Sequence, residues 1–479
     1  MRIFLAATEA VPFAKTGGLA DVASALPKAL VRLGHDARIV MPRYASINAG
    51  NRIIDDLSVP INHTTTRCSV FADFGGPAPI YFIDSPEYFH RQSWGKDILY
   101  GEWDDAERFA FFSRAVLELC KRLGDHPDIV HCNDWMTGFI PAFLKTAYAG
   151  DPFFNGTRSV FTIHNIAYQG LFDPASLSAL GFDPALYRTD YGFELYGQAS
   201  ALKIGLVMAD VITTVSPKYA SEIQTPEYGG NLDGLLRWRK GDLIGILNGV
   251  DYEEWNPATD HFIAAHYSPA DLSGKQACKA DMLRSFWLPD DVNRPTFGLI
   301  SRLTAQKGID LVMQIAYRIV ETGSFIVILG SGDNEYERQV QQLHDAYQQQ
   351  VGIYLGFNNT LAHKIEAGAD FFLMPSAFEP CGLNQIYSLK YGTIPIVRAT
   401  GGLDDTVQSF DRTTKKGNGF KFYGYSPDKF LEAMYESLIT YQDKDLWRTL
   451  MLNGMNADFS WERSARQYIY VYEAVMRHG

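Results

Sequence analysis

The sequence predicts an α/β protein of two doubly wound domains, each a mostly parallel sheet flanked by helices. Three observations carry this. Short apolar runs recur without polar alternation, as strands buried on both faces of a parallel sheet do. Between them lie stretches with apolar residues at spacings of three and four, the pattern of helices with one buried face. The alternation is completed twice, on either side of an irregular stretch rich in Asn, Pro and aromatic residues that ends near Pro295. A length of 479 residues fits two or three domains better than one.

In the first half, strands are expected at 3–7, 37–41, 129–132, 159–163 and 211–215, and helices at 18–33 and 105–123. The second of these helices carries Phe109, Phe112, Val116 and Leu119 on one face. In the second half, strands are expected at 296–300, 325–329, 352–355, 371–374 and 394–397. Helices fit 308–321, 334–349, 361–367, 383–391 and 403–410. The boundary is placed near 243–251, giving domains 1–245 and 246–459. A last helix at 460–476, with Ser460 as its N-cap, lines Trp461, Ala465, Tyr468, Tyr472 and Val475 along one stripe. A stripe this aromatic needs a surface to cover.

Composition narrows the function. Hydrophobic residues make up 46% and charged residues 20%, a folded globular balance. The 43 Lys and Arg against 55 Asp and Glu leave a net charge of −12, which argues against a nucleic-acid or membrane-surface partner. The five cysteines are scattered with no CxxC pair, so neither a zinc site nor a redox motif is expected. The amino terminus lacks the pattern of a signal peptide, and no apolar run approaches the roughly 20 residues of a membrane span. A cytoplasmic protein is expected.

Four loops between a strand and a helix carry candidate chemistry. Lys15-Thr16-Gly17-Gly18-Leu19-Ala20-Asp21-Val22 joins a cation to paired glycines at a helix start, where backbone N–H groups favour an anion. A plain structural turn is the alternative, and the GxGxxG dinucleotide fingerprint is absent. Arg302 and Lys307 lie on the loop after the 296–300 strand, where open α/β sheets bind ligands. A guanidinium fork and a compact ammonium suit a diphosphate, although two solvated surface cations would look the same. In Glu379-Pro380-Cys381-Gly382-Leu383 a carboxylate beside helix-start N–H groups could gather sugar hydroxyls, or simply favour the helix dipole. Thr400-Gly401-Gly402-Leu403 is a second potential anion cradle or a structural turn. His164 follows the 159–163 strand and Asn248 sits at the boundary; either residue could be structural. The one Asp-x-Asp spacing, Asp443-Lys444-Asp445, reads as a helix-start turn rather than a metal site.

Taken together, these motifs resemble, in order, those of bacterial glycogen synthases and plant starch synthases. His131-Cys132-Asn133-Asp134-Trp135 and His164-Asn165-Ile166-Ala167-Tyr168-Gln169-Gly170 fit the same family. The resemblance spans essentially the whole chain and is nearer the bacterial members. It implies a B-type glycosyltransferase fold, two Rossmann-like domains facing a deep cleft, with the final helix returning to the first domain. It implies glucose transfer from ADP-glucose to glycogen or another α-1,4-glucan, with retention of configuration and with neither metal nor cofactor.

Carried over residue by residue, Arg302 and Lys307 would hold the diphosphate, and Lys15, Gly17 and Gly18 would meet the phosphates. Glu379 and the N–H groups of Cys381, Gly382 and Leu383 would grip glucose hydroxyls. His164 and Asn248 would hold the sugar from its other side, and Thr400 and Gly401 would join the nucleotide-sugar site. Tyr354 would pack near the base, while Asp21 and Asp134 would serve cleft architecture or the acceptor side. The alternatives are a related transferase using UDP-glucose or another acceptor, such as a sucrose-forming enzyme, and a non-catalytic glucan-binding protein.

Overall fold

A computed structural model describes residues 1–61 and 64–477. The chain divides into two compact units, Met1–Gly249 with Trp461–Gly479, and Val250–Ser460.

The main sheet of the first unit has nine strands: β1 (Arg2–Ala6), β2 (Asp36–Pro42), β3 (Asn51–Ile61), β4 (Thr64–Asp73), β5 (Ile80–Asp84), β6 (Ile129–Asn133), β7 (Arg158–Ile163), β8 (Val211–Thr214) and β9 (Leu243–Gly245). Their order across the sheet is β9-β8-β7-β6-β1-β2-β5-β4-β3. All neighbours from β9 to β5 are parallel, and β4 and β3 add an antiparallel edge. The central strands are apolar on both faces because helices cover both, and Ile3, Phe4, Leu5 and Ala6 are fully buried. The edge pair alternates exposed and buried residues and lacks such a run, so the sequence reading passed over it. At β1 the connections switch sides, to β2 in one direction and β6 in the other. The loops after β1 and β6 therefore flank a topological switch point, where doubly wound sheets bind ligands.

The Asp105–Leu123 helix has the predicted bounds and buries the predicted face, Phe109, Phe112, Val116 and Leu119. The Trp461–Arg477 helix packs against the Gly18–Arg32 helix and β7, burying Trp461, Ala465, Tyr468, Tyr472 and Val475. The aromatic stripe thus covers the first unit.

The second unit has six parallel strands: β10 (Thr296–Ile300), β11 (Phe325–Gly330), β12 (Val351–Leu355), β13 (Phe371–Met374), β14 (Ile394–Arg398) and β15 (Phe420–Phe422). Their order, β12-β11-β10-β13-β14-β15, is that of a Rossmann domain. The switch point lies between β10 and β13, beside the loops that carry Arg302, Lys307 and Glu379. Two helices end short of expectation, the one predicted at 334–349 stopping at Ala346. The predicted 403–410 segment is a Gly401–Thr406 helix that gives way to extended backbone at Val407. Phe410 N–H there bonds the Gly419 carbonyl at 2.9 Å, a tertiary pairing invisible to helical periodicity.

Candidate functional site

In the first unit, β1 feeds the loop to the Gly18–Arg32 helix, and Glu9 organises that loop. Its carboxylate accepts from Thr16 N–H, from Thr16 Oγ1 at 2.7 Å and from Gly17 N–H at 3.3 Å. Tyr100 donates to the same carboxylate at 2.6 Å. The Gly17 amide is thereby engaged, so amides left for an anion begin at Gly18, where the helix has no side-chain cap. Lys15 is half-exposed and pairs with Asp21 at 2.7 Å. Burial raises the Asp21 pKa and the Lys15 ammonium opposes that rise.

Two further segments lie at the carboxyl ends of β6 and β7. Asp134 adopts φ 57° and ψ −178°, a conformation essentially reserved for glycine that costs about 1–3 kcal/mol. Surrounding bonds hold it there: its N–H bonds the Thr162 carbonyl at 2.9 Å, and its carboxylate accepts His164 N–H at 2.7 Å. Burial pushes this carboxyl up to about 7, against the backbone N–H groups of His164 and Asn165. The buried His164 imidazole is pushed down to about 3 and is neutral. Asn133 Nδ2 donates to the Ala6 carbonyl at 3.0 Å, so its Oδ1, 2.9 Å from His164 Nε2, must accept. Nε2 then carries the proton and Nδ1 is left as an acceptor. Asn248 is buried at 5% exposure and its Oδ1 has no hydrogen-bond partner among the described residues. Such an acceptor calls for a ligand hydroxyl or an ordered water.

In the second unit, Lys307 Nζ lies 2.6 Å from Glu379 Oε2, joining the loops on either side of the switch point. Ser376 Oγ donates to the same oxygen at 3.3 Å, and Ala377 N–H bonds the Gln306 carbonyl at 2.8 Å. Glu379 Oε1 makes no hydrogen bond among the described residues and is left to receive one. Arg302 is exposed, and its guanidinium has no ion pair among the described residues. Thr400 and Gly401 pack directly onto the Glu379 loop. A Cβ at Gly401, where φ is +44°, would lie 1.9 Å from the Glu379 carbonyl oxygen. Cys381 is buried, Gly382 has φ +72°, and Leu383 precedes the Asn384–Lys390 helix. Tyr354 is 40% exposed near the end of β12.

Asp443 caps the Lys444–Met455 helix, accepting from Asp445 N–H at 3.2 Å and Leu446 N–H at 3.1 Å. Among the described residues no group of three or more His, Cys, Asp or Glu could hold a metal ion, and no helix is long and apolar enough to cross a membrane. The sequence motifs include Asn133 without a role for it, and they leave out Glu9 and Ser376. The signal for Glu9 is a lone acid two positions beyond the apolar run 3–7.

Residues 2–238 match the starch synthase catalytic domain, and residues 287–445 match the glycosyl transferases group 1 domain. A glycogen synthase of Koribacter versatilis is 49% identical, over 99% of this chain and 98% of that one. The chain belongs to the glycogen synthase and starch synthase family. A glycogen synthase of Geobacillus stearothermophilus, 45% identical over 100% of this chain and 98% of its own, is similar along the same length. Among solved structures, the catalytic domain of starch synthase IV from Arabidopsis thaliana, bound to ADP and acarbose, has a TM-score of 0.92 at 34% identity, covering 99% of each chain. A sucrose-phosphate synthase from Thermosynechococcus elongatus, with a TM-score of 0.63 at 17% identity over 100% of each chain, shares the fold alone. This family member is a hexosyltransferase with the two-domain B-type glycosyltransferase fold, and its activity is that of a glycogen synthase.

Proposed function

We propose that the chain transfers glucose from ADP-glucose to the non-reducing end of an α-1,4-glucan, with retention of configuration. The observation that carries this reading is the cationic, carboxylate-bearing switch point of the second unit. There Arg302, exposed and with no ion pair among the described residues, shares a loop with Lys307, which reaches Glu379 at 2.6 Å.

Arg302 and Lys307 hold the diphosphate and neutralise the charge that develops as ADP departs. Lys307, held by Glu379 at 2.6 Å, is in place before that charge develops, and a cation placed in advance costs little reorganisation at that moment. Glu379 turns one oxygen to Lys307 and Ser376 and offers the other to glucose hydroxyls, together with the N–H groups of Cys381, Gly382 and Leu383. Thr400 and Gly401 complete that cradle, and Tyr354 stacks near the base. From the first unit, Lys15 and the Gly18 amide serve the phosphates, with Gly17, its amide held by Glu9, letting the backbone come close, while His164 and Asn248 hold the sugar. His164, neutral with Nδ1 as acceptor, suits a hydroxyl better than a phosphate. Asp21 anchors Lys15, and Asp134 anchors His164 on the acceptor side.

A departing phosphate oxygen that takes the acceptor hydroxyl's proton on the same face of the sugar accounts for retention without a protein nucleophile. The pairing of Glu379 with Lys307 fits a binding group rather than an attacking one. The Arg302→Ala and Lys307→Ala variants should each lose about 100-fold to 1000-fold in kcat, the scale of one preorganised charge-stabilising group. Melting temperatures should stay near that of the parent. Near-parental rates in both variants would refute the diphosphate assignment. Competition of ADP-glucose against UDP-glucose in a glucan-incorporation assay tests the donor, and preferred use of UDP-glucose would overturn it.

A further inference from the structure

The turn that carries Asn248 is gripped on three of its residues by the segment entering the terminal helix. Ser464 Oγ donates to the Leu247 carbonyl at 2.6 Å. Gly249 lies flat against Trp461, and a Cβ there would come within 2.5 Å of the Trp461 Cα and backbone nitrogen. Val250 N–H donates to the Phe459 carbonyl at 2.9 Å. Asn248 is the residue in the middle. Its side chain is buried, and its own Oδ1 makes no hydrogen bond among the described residues. The orientation of this amide is therefore set by its backbone, and the backbone is set by residues more than 200 positions later in the chain.

The gripping side chains are themselves buried. Ser464 is 4% exposed and Trp461 7% exposed. Further along the same helix, Tyr472 bonds the buried His131 at 2.8 Å, on β6, next to the segment that carries Asn133 and Asp134. The helix also packs on the Gly18–Arg32 helix, whose start is the Lys15–Gly18 loop. One helix thus backs two segments assigned to the donor, the 247–250 turn and the Lys15–Gly18 loop, and the strand that leads to Asp134.

We infer that Trp461 and Ser464 are positioning residues for Asn248: they do not touch substrate but hold the 247–250 turn so that the Asn248 amide meets the donor sugar. This inference rests on the assignment of Asn248 to that sugar. The physical reason is the steepness of catalysis in distance, since a misplacement of ~1 Å can cost about 100-fold in rate.

The test uses the full-length protein and steady-state glucosyl transfer, with ADP-glucose and glycogen varied separately, beside thermal melting. The variants are Asn248→Ala, Ser464→Ala, Ser464→Thr, Gly249→Ala and the double variant Asn248→Ala/Ser464→Ala. Ser464→Ala should lower kcat roughly tenfold with the KM for glycogen unchanged, and Ser464→Thr, which keeps the hydroxyl, should restore most of the loss. Gly249→Ala, which must displace Trp461, should show a larger loss of the same kind. The double variant should be no slower than Asn248→Ala alone, because both changes act through one side chain. If Asn248→Ala is impaired while Ser464→Ala turns over normally, or if the two losses multiply, the positioning role is wrong and the site assignment stands. If Asn248→Ala itself turns over at the parental rate, the sugar assignment falls and the inference with it. Should Gly249→Ala fail to fold, the Ser464 pair and the double variant still decide.

Discussion

Glu9 illustrates how one side chain shapes a loop rich in glycine. A loop containing Gly17 and Gly18 has little intrinsic preference for one conformation, and ordering it costs entropy. The Glu9 carboxylate offsets that cost by collecting Thr16 N–H, Thr16 Oγ1, Gly17 N–H and the Tyr100 hydroxyl. Charge-assisted bonds are roughly twice as strong as neutral ones, so the charge itself matters. Glu9→Gln keeps the shape and loses the charge. It should reduce turnover by roughly 10-fold to 100-fold through a loosened Lys15 loop, with a stability change of only about 1–2 kcal/mol. Kinetics paired with urea unfolding would check this, and unchanged turnover would remove Glu9 from the loop's support.

At the scale of elements, the candidate site consists of strand ends and the loops that follow them. The chain reaches Glu379 from β13 and Thr400 from β14, and the two loops meet with no room for a side chain at Gly401. Gly401→Ala must both adopt a left-handed φ and push the Glu379 backbone away. The expected outcome is a destabilisation of ~1–3 kcal/mol together with a loss of turnover, because the displaced carbonyl belongs to the residue assigned to the sugar. Unfolding curves and kinetics on one preparation would separate the two effects. A stable variant with normal activity would mean that the loop shifts without carrying Glu379 with it. The early end of the Gly401–Thr406 helix belongs to this scale as well. Val407 and Phe410 are buried apolar residues that could extend a helix, but Phe410 pairs with Gly419 beside β15 instead.

At the scale of the whole chain, the terminal helix follows the second unit in sequence but belongs to the first. His131 bonds Tyr472 on one side and Thr162 at 2.6 Å on the other, and burial pushes its imidazole down to about 3. An unfolded histidine titrates near 6.5, so between about pH 3 and 6.5 the unfolded state binds a proton that the native state does not. Stability therefore rises with pH across that window and levels off above it. His131→Gln should flatten the rise by about 1.4 kcal/mol per pH unit, measured by urea unfolding at several pH values. The same slope in parent and variant would show that His131 titrates normally. Loss of the Tyr472 hydroxyl in Tyr472→Phe leaves His131 one partner short and should cost about 1–3 kcal/mol.

The amino-acid sequence determined, by itself, what depends on local order: apolar runs that must be buried on both faces, the helical face of Phe109, Phe112, Val116 and Leu119, and glycine-rich loops at the ends of predicted strands. Those loops drew attention to Lys15, Arg302, Lys307, Glu379 and Gly401 because a cation or a glycine between a strand and a helix is a local signal. Tertiary structure alone decided which distant groups meet. The pairing of Lys307 with Glu379, the bond of Tyr100 to Glu9, the bond between His131 and Tyr472 and the grip of Ser464 on Leu247 join residues through space. No periodicity or spacing encodes them, because each is fixed by strand order and helix packing rather than by neighbours in the chain. The antiparallel edge formed by β3 and β4 stayed illegible for a related reason: half its residues face outward, so the apolar run that betrays a buried strand is missing.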